Sequence, residues 1–165
     1  DVPIGPQVLD RIDHSGTLEA AEELTLLLLC SRDVGDDGIA RLEAGVDEYV
    51  DVWTPALHTT SRFELVSVFA GLDDSIGDLV VTFSEAVESG PTVFLSWPAS
   101  GRFVRPAFLD DDHLLEPTGA VIRLAGAISL AFTAGRRAER IRCYYDRLAL
   151  VTQMLAPGAA VAKGY

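Results

Sequence analysis

The spacing of apolar residues divides the chain into a helical first half and a stranded second half. Between residues 17 and 31 apolar side chains recur around most of a helix circumference, and acidic residues fill the first turn, where the helix dipole favours them. From residue 78 onwards apolar and polar positions alternate with the period of two that is typical of strands. The pattern predicts an α+β domain whose helices cover one face of a bent sheet.

Turn-forming residues and caps set the expected limits of these elements. Helices are expected at residues 17–31, 39–44 and 62–71, with a break at 35–38 and a capping-box sequence, Ser61-Arg62-Phe63-Glu64, opening the third. Strands are expected at residues 49–53, 78–88, 92–105, 118–133 and 137–145, with turns at 89–91 and 134–135. The expected bends in the long strands are at Gly101, Gly119 and Gly126.

A chain of 165 residues, 48% of them apolar, is expected to form a single domain with an ample core. Residues 1–16 contain three turn-formers and are predicted to form an extended N-terminal arm. Residues 17–156 are predicted to form the α+β domain, and residues 157–165 a mobile tail of small side chains.

The chain carries 25 acidic and 13 basic residues, a net charge of −12, which argues against binding nucleic acid or an anionic membrane. Its two cysteines, Cys30 and Cys143, fall in a predicted helix and a predicted strand and are expected to be reduced thiols. The apolar run at residues 26–30 is too short to cross a bilayer, and no basic segment precedes it. We therefore expect a soluble, cytoplasmic protein.

The last predicted strand carries the chemistry of greatest interest. Because side chains alternate along a strand, Arg142, Tyr144 and Asp146 share one face. A desolvated carboxylate at the end of that strand could act as a general acid and base, with Arg142 tuning it or holding a substrate oxygen. The alternatives are that Asp146 caps the helix that follows and that Arg142 forms a structural ion pair.

Three further residues of the second half are candidates for binding a substrate. Tyr144 and Trp97 could line a cavity and hydrogen-bond a substrate oxygen through their polar tips, although core packing is the alternative for each. Gln153 could reach the cavity or cap a helix end, and the sequence leaves both open.

The first predicted strand adds Tyr49, Asp51 and Trp53, which share one face and could line the same cavity. His58 follows this strand near the expected cavity mouth, where it could shuttle protons or simply lie in a surface loop.

No metal or cofactor is expected. The acidic stretch at residues 109–116 reads as a solvated loop, although it contains a histidine. The chain has no glycine-rich phosphate loop, no nucleophile elbow and no zinc-protease motif.

Four sequence segments, in this order and spread over residues 17–155, resemble the SnoaL-like polyketide cyclase group of the nuclear-transport-factor-2-like superfamily. They are Val52-Trp53-Thr54-Pro55, the strand from Thr92 to Trp97 running on to Gly101, Pro117-Thr118-Gly119, and the closing segment from Tyr144 to Gln153 with its Tyr-Asp pair.

The resemblance implies a cone-shaped α+β barrel with a curved mixed or antiparallel sheet, about three N-terminal helices closing one face, an apolar cavity and a homodimer formed through the sheet. It also implies that Asp146 is the general acid and base of an intramolecular aldol ring closure. Ketosteroid isomerases of this superfamily use an aspartate at the position that Thr54 takes here, so this chain lacks their base.

We therefore expect a cofactor-independent cyclase or isomerase that acts on a polyketide-like carbonyl compound. One alternative is epoxide opening or ether-ring formation in the same fold, with Asp51 as the second carboxylate. Another is a non-catalytic module for small-molecule binding or dimerisation.

Overall fold

The computed structural model describes residues 5–67, 75–110 and 112–155, and the side chains of residues 5–15 and 31–34 lie outside that description. The helices within these ranges are α1 (Gly5–Leu29), α2 (Ser31–Gly45), α3 (Arg62–Ser67) and α4 (Arg147–Leu155). The strands are β1 (Val46–Trp53), β2 (His58–Thr59), β3 (Ile76–Val81), β4 (Glu85–Ser89), β5 (Thr92–Phe103), β6 (Ala107–Phe108), β7 (Leu114–Leu115), β8 (Val121–Phe132) and β9 (Ala138–Tyr145). None of the described helices is long and apolar enough to span a membrane.

Seven of these strands form one curved, mixed sheet. Its order is β2-β1-β9-β8-β5-β3, and β4 pairs with the other part of β5. The neighbours β1 and β9 are parallel, and the remaining pairs are antiparallel. The predicted α+β class with a curved mixed sheet and three N-terminal helices is confirmed, although the described strands form an open sheet and not a closed barrel.

The two faces of the sheet differ sharply in burial. We call the face that packs against the helices the inner face and the opposite one the outer face. On the inner face, Val50, Val52 and Ile141 are fully buried, and leucines of α1 belong to the same core. Burying a large aliphatic side chain contributes roughly 1.5–3 kcal/mol. This alternation explains why the period-two pattern predicted the strands.

Helix α1 is longer than predicted. The predicted helix at residues 17–31 is confirmed over most of its length, but α1 begins at Gly5, so the extended conformation expected for residues 5–16 is wrong. Pro6 does not prevent this, because a proline is tolerated in the first turn of a helix. Residues 1–4 and the predicted tail, 157–165, lie outside the described part of the chain.

Two other predicted elements differ from the structure, and the start of a third agrees with it. Helix α2 begins at Ser31, and the predicted break is a kink at Gly35, whose φ of 61° suits glycine. The predicted strand at 78–88 is divided into β3 and β4 around residues 82–84. The predicted cap of α3 is confirmed, because Ser61 Oγ accepts the backbone N–H of Glu64 at 3.3 Å; residues 68–71 of that predicted helix lie outside the description.

Candidate functional site

An ion pair joins the two parallel strands on the outer face of the sheet. Arg142 on β9 lies beside Trp53 of β1 in the strand register. Its Nη2 donates to Oδ2 of Asp51 at 2.6 Å, and its Nη1 donates to the backbone oxygens of Asp51 at 2.9 Å and Ile141 at 3.0 Å. The Arg142 hydrogen bond holds the pKa of the Asp51 carboxyl below its usual value. Arg142 therefore pairs with Asp51, and the predicted partnership with Asp146 is replaced by this one.

His58 and Trp53 complete this outer cluster. The two rings stack with their centroids 3.8 Å apart and an interplanar angle of 25°. His58 Nε2 lies 3.6 Å from Oδ1 of Asp51, which is longer than a hydrogen bond. That oxygen is shielded from solvent and has no hydrogen-bond partner among the described residues. Asp51, Trp53, His58 and Arg142 thus form one cluster on the face away from the helices, whereas the first two were expected to line a cavity beneath the helices and His58 to lie near its mouth.

Trp97 lies on the opposite, inner face. It is fully buried, and its indole Nε1 has no hydrogen-bond partner within the described ranges. The ring of Tyr145 meets it edge-on with centroids 6.1 Å apart. Gly126 is paired with Trp97 across β5 and β8, and a side chain there would overlap the indole ring and the backbone oxygen of Tyr144. The unpaired N–H is unusual, because buried donors nearly always have an acceptor.

Asp146 has the helix-capping role that was the alternative at the sequence level. Its Oδ1 accepts the backbone N–H of Ala149 at 3.0 Å, and its backbone oxygen accepts the N–H of Leu150 at 3.1 Å. The residue is exposed, so the expectation of a buried carboxylate is wrong. The physical reason is that β9 ends at Tyr145 and α4 begins at Arg147, which leaves Asp146 at the N-cap, where aspartate is favoured.

Gln153 does not cap a helix end but completes the edge of a strand. Its Oε1 accepts the N–H of Arg123 at 2.7 Å, and its Nε2 donates to the oxygen of Arg123 at 2.9 Å. Strand β9 ends opposite Gly126, so these backbone groups of β8 lie beyond its reach. The amide of Gln153 supplies the hydrogen bonds that β9 would otherwise make.

Solved structures from several organisms share this fold. A protein assigned as a SnoaL-like polyketide cyclase from Jannaschia sp. superposes with a TM-score of 0.67 at 16% identity, covering 85% of this chain and 94% of that one. An LEH-like epoxide hydrolase of M. tuberculosis gives 0.62 at 10% identity, covering 92% and 98%. An NTF2-like protein of Burkholderia thailandensis gives 0.59 at 20% identity, covering 86% and 98%. The chain has the SnoaL-like, NTF2-like fold.

The likeness is one of fold. No protein-family model matches the sequence, and no curated protein sequence matches it.

Thr54, which the sequence resemblance sets at the aspartate position of the ketosteroid isomerases, has a structural role in this chain. Its Oγ1 accepts the backbone N–H groups of Ala56 at 3.1 Å and Leu57 at 2.9 Å, which closes the turn between β1 and β2. Thr54 cannot act as that base, and its hydroxyl oxygen instead holds the turn between β1 and β2.

The side chains of Tyr49 and Tyr144 are 76% and 58% exposed. Tyr144 shares the outer face with Arg142, as the alternation predicted. The register of β1 shifts between Val46 and Asp51, and Tyr49 lies beside α3 with Phe63. The aromatic residue of the Tyr-Asp segment that reaches the inner face is Tyr145. The alternation of β9 already assigns Tyr145 to the face of Cys143. The sequence therefore contained the signal for Tyr145, but Tyr144 was chosen as the candidate.

The remaining residues that the sequence singled out are the cysteines and the acidic loop at residues 109–116. Burial raises the pKa of the Cys143 thiol to about 12, which leaves it protonated at neutral pH. In the acidic loop, His113 Nδ1 lies 2.7 Å from Oδ1 of Asp110, and this hydrogen bond lowers the pKa of the Asp110 carboxyl. Both side chains are exposed, as expected for a solvated loop.

Proposed function

We propose that the protein is a cofactor-independent enzyme that binds a polyketide-like carbonyl compound against the inner face of the sheet and closes a ring in it or isomerises it. The observation that carries this proposal is the buried indole N–H of Trp97, which lacks an acceptor among the described residues. Leaving such a donor unpaired costs about 1–3 kcal/mol. A carbonyl oxygen of a bound ligand would supply the missing acceptor.

The same hydrogen bond has a chemical use. When a base, here a water molecule that enters with the substrate, takes a proton from the carbon next to a carbonyl group, negative charge develops on the carbonyl oxygen, and a donor fixed in a buried site stabilises that charge. In an aldol ring closure the enolate carbon then bonds to a second carbonyl carbon, and the proton is returned to the new alkoxide. No oxidant or cofactor is consumed. Holding the substrate folded so that the two carbons meet supplies the rest of the rate enhancement.

The residue that acts on the substrate in this proposal is Trp97, through its N–H, and not Asp146. An acid–base role for Asp146 requires a carboxylate that faces the substrate, whereas this carboxylate is exposed and accepts the N–H of Ala149. Tyr145, which meets Trp97 edge-on, is the neighbouring aromatic side chain that we expect to contact the ligand.

The test compares a ketone with its alcohol. We expect the wild-type protein to bind an aromatic polyketide-like ketone more tightly than the analogue in which that carbonyl is reduced. Trp97→Phe removes the N–H together with the five-membered ring and keeps an aromatic side chain, so this variant should lose the preference. Trp53→Phe, on the outer face, is the matched control and should keep it. A preference that survives Trp97→Phe would contradict the proposal.

A non-catalytic binding module is the second candidate. It is favoured by the capping role of Asp146, since the carboxylate expected to move the proton is engaged elsewhere. Saturable, Trp97-dependent binding of ketones, without turnover of any of them, would support this candidate over the enzyme.

The epoxide-opening alternative has less support. It needs two carboxylates around one substrate, and here Asp51 is bound to Arg142 while Asp146 caps α4. These two sets of hydrogen bonds share no residue.

We also propose that the outer face pairs with a second copy of the chain. Phe94, Val87 and Tyr144 are 49%, 58% and 58% exposed there, and small side chains of β8 lie between them. An exposed apolar patch of this kind is typical of an interface. Sedimentation of the wild type and of Phe94→Glu tests this, with a dimer expected only for the wild type.

A further inference from the structure

An open groove of about 680 Å³ lies beside α3, and its lining includes neither Trp97 nor Asp51 nor Arg142. The residues that matter in it are Glu43 near the end of α2, Glu48 and Tyr49 on β1, and Arg62 and Phe63 on α3. None of the functions considered above uses this groove, which we call the α3 groove.

Two aromatic side chains of the α3 groove are largely in contact with water. Phe63 is 83% exposed and Tyr49 is 76% exposed. Exposing two large rings on one concave surface is unfavourable in an isolated domain, and such surfaces are typically binding sites. Neither ring belongs to the buried core, so packing in the core does not explain why these two side chains are large.

The charges around the groove favour a cation. Glu43 and Glu48 line it with two carboxylates, against the single guanidinium of Arg62. Nη1 of Arg62 is directed at the backbone oxygen of Val46, 3.5 Å away, and is thereby turned towards β1. The chain as a whole carries a net charge of −12, which further attracts cations.

We propose that the α3 groove binds an organic ammonium group, such as that of an alkylated amine. The aromatic faces attract a cation through their quadrupoles, and the carboxylates neutralise its charge. An inorganic cation would gain from the carboxylates but little from the rings, whereas a neutral apolar ligand would gain from the rings alone. Rings and carboxylates together select an ammonium ion that carries apolar substituents.

The experiment titrates the full chain with choline and with 3,3-dimethylbutan-1-ol, in which a carbon replaces the charged nitrogen. Binding is followed through the NMR signals of the Tyr49 and Phe63 rings. We expect saturable shifts with choline. The neutral isostere should bind at least roughly two- to fivefold more weakly than choline. Sodium chloride at the same ionic strength is the control for the general effect of salt.

Variants locate the site. Tyr49→Phe keeps the ring and should bind choline like the wild type, whereas Tyr49→Leu and Phe63→Leu should each weaken binding roughly two- to fivefold. Glu48→Gln should weaken choline but not the neutral isostere. All three positions are exposed, so circular dichroism of the four variants should show an unchanged fold.

Three results would overturn the proposal. One is equal affinity for choline and its neutral isostere, which would make the groove merely apolar. Another is binding that is unchanged in Tyr49→Leu and Phe63→Leu. The third is the absence of saturable shifts up to the solubility of choline.

Discussion

The two tryptophans of the chain lie on opposite faces of one sheet and meet very different surroundings. Trp97 is fully buried against the helices, and its N–H has no acceptor among the described residues. Trp53 is 48% exposed and stacks on His58 beside the Asp51–Arg142 pair. The inner face thus presents a buried donor that no described residue pairs, and the outer face presents the ion pair of Asp51 and Arg142, in which Oδ1 of Asp51 also lacks a hydrogen bond from the described residues.

The comparison teaches which polar groups remain available for a ligand. On the outer face Arg142 makes three hydrogen bonds within the protein, so its guanidinium is engaged in joining β1 to β9. On the inner face the indole N–H of Trp97 makes none that the described residues supply. A donor that is buried but unused is a stronger sign of ligand binding than a charge that is already paired.

The largest effect is expected from filling the space next to Trp97. Gly126→Ala places a methyl group against the indole ring and the backbone of Tyr144, and such overpacking should lower the free energy of unfolding by about 3 kcal/mol. Gly135→Ala is the matched control, since its added methyl group would meet only ordinary contacts. Thermal denaturation of both variants checks this, and equal melting temperatures would show that the inner face is loosely packed.

A smaller effect is expected from breaking the outer pair. Arg142→Gln should lower the melting temperature at neutral pH, because Asp51 then loses its 2.6 Å partner. Arg140→Gln, on the same face of β9, is the control and should change little.

The effect of Arg142→Gln should also depend on pH. Since the pKa of Asp51 is lowered in the folded state, the pair contributes stability above the ordinary carboxyl value of 3.8 and loses it as the pH falls through the lower folded-state value. The difference between wild type and variant should therefore shrink towards acid pH. A difference that stays constant from neutral to strongly acid pH would exclude the pair as its source.

The smallest effect concerns the cap of α4. Asp146→Ala should lower the free energy of unfolding by about 1 kcal/mol, while Asp146→Ser, which retains a capping oxygen, should cost less. If Asp146 acts only as a cap, turnover at a permissive temperature should be similar in both variants. Loss of turnover in Asp146→Ser with unchanged stability would restore its acid–base role.

The sequence correctly predicted those features whose signal lies within one short segment of the chain. The alternation of β1 and β9 correctly assigned Asp51 and Trp53 to one face and Arg142 and Tyr144 to one face, and the capping box of α3 was correct at Ser61. Helix α1 was predicted too short, because Pro3, Gly5 and Pro6 at the start of the chain favoured an extended arm.

The candidate site could not be predicted to the same extent, because it depends on contacts between distant segments. Asp51 and Arg142 are 91 residues apart, and their pairing requires the parallel alignment of β1 with β9, which periodicity does not reveal. The sequence allowed Asp146 to be either a base or a cap, and only the position of α4 decides where its oxygen is used. An unpaired N–H on Trp97 likewise depends on which acceptors the whole fold brings near it.

The most direct test of the account is a two-dimensional ¹H–¹⁵N spectrum of the two indole N–H groups, which Trp53→Phe assigns. On addition of an aromatic polyketide-like ketone, the Trp97 signal should move downfield to saturation while the Trp53 signal stays in place. A ketone that binds while the Trp97 signal remains unmoved, or that moves only the Trp53 signal, would contradict the account.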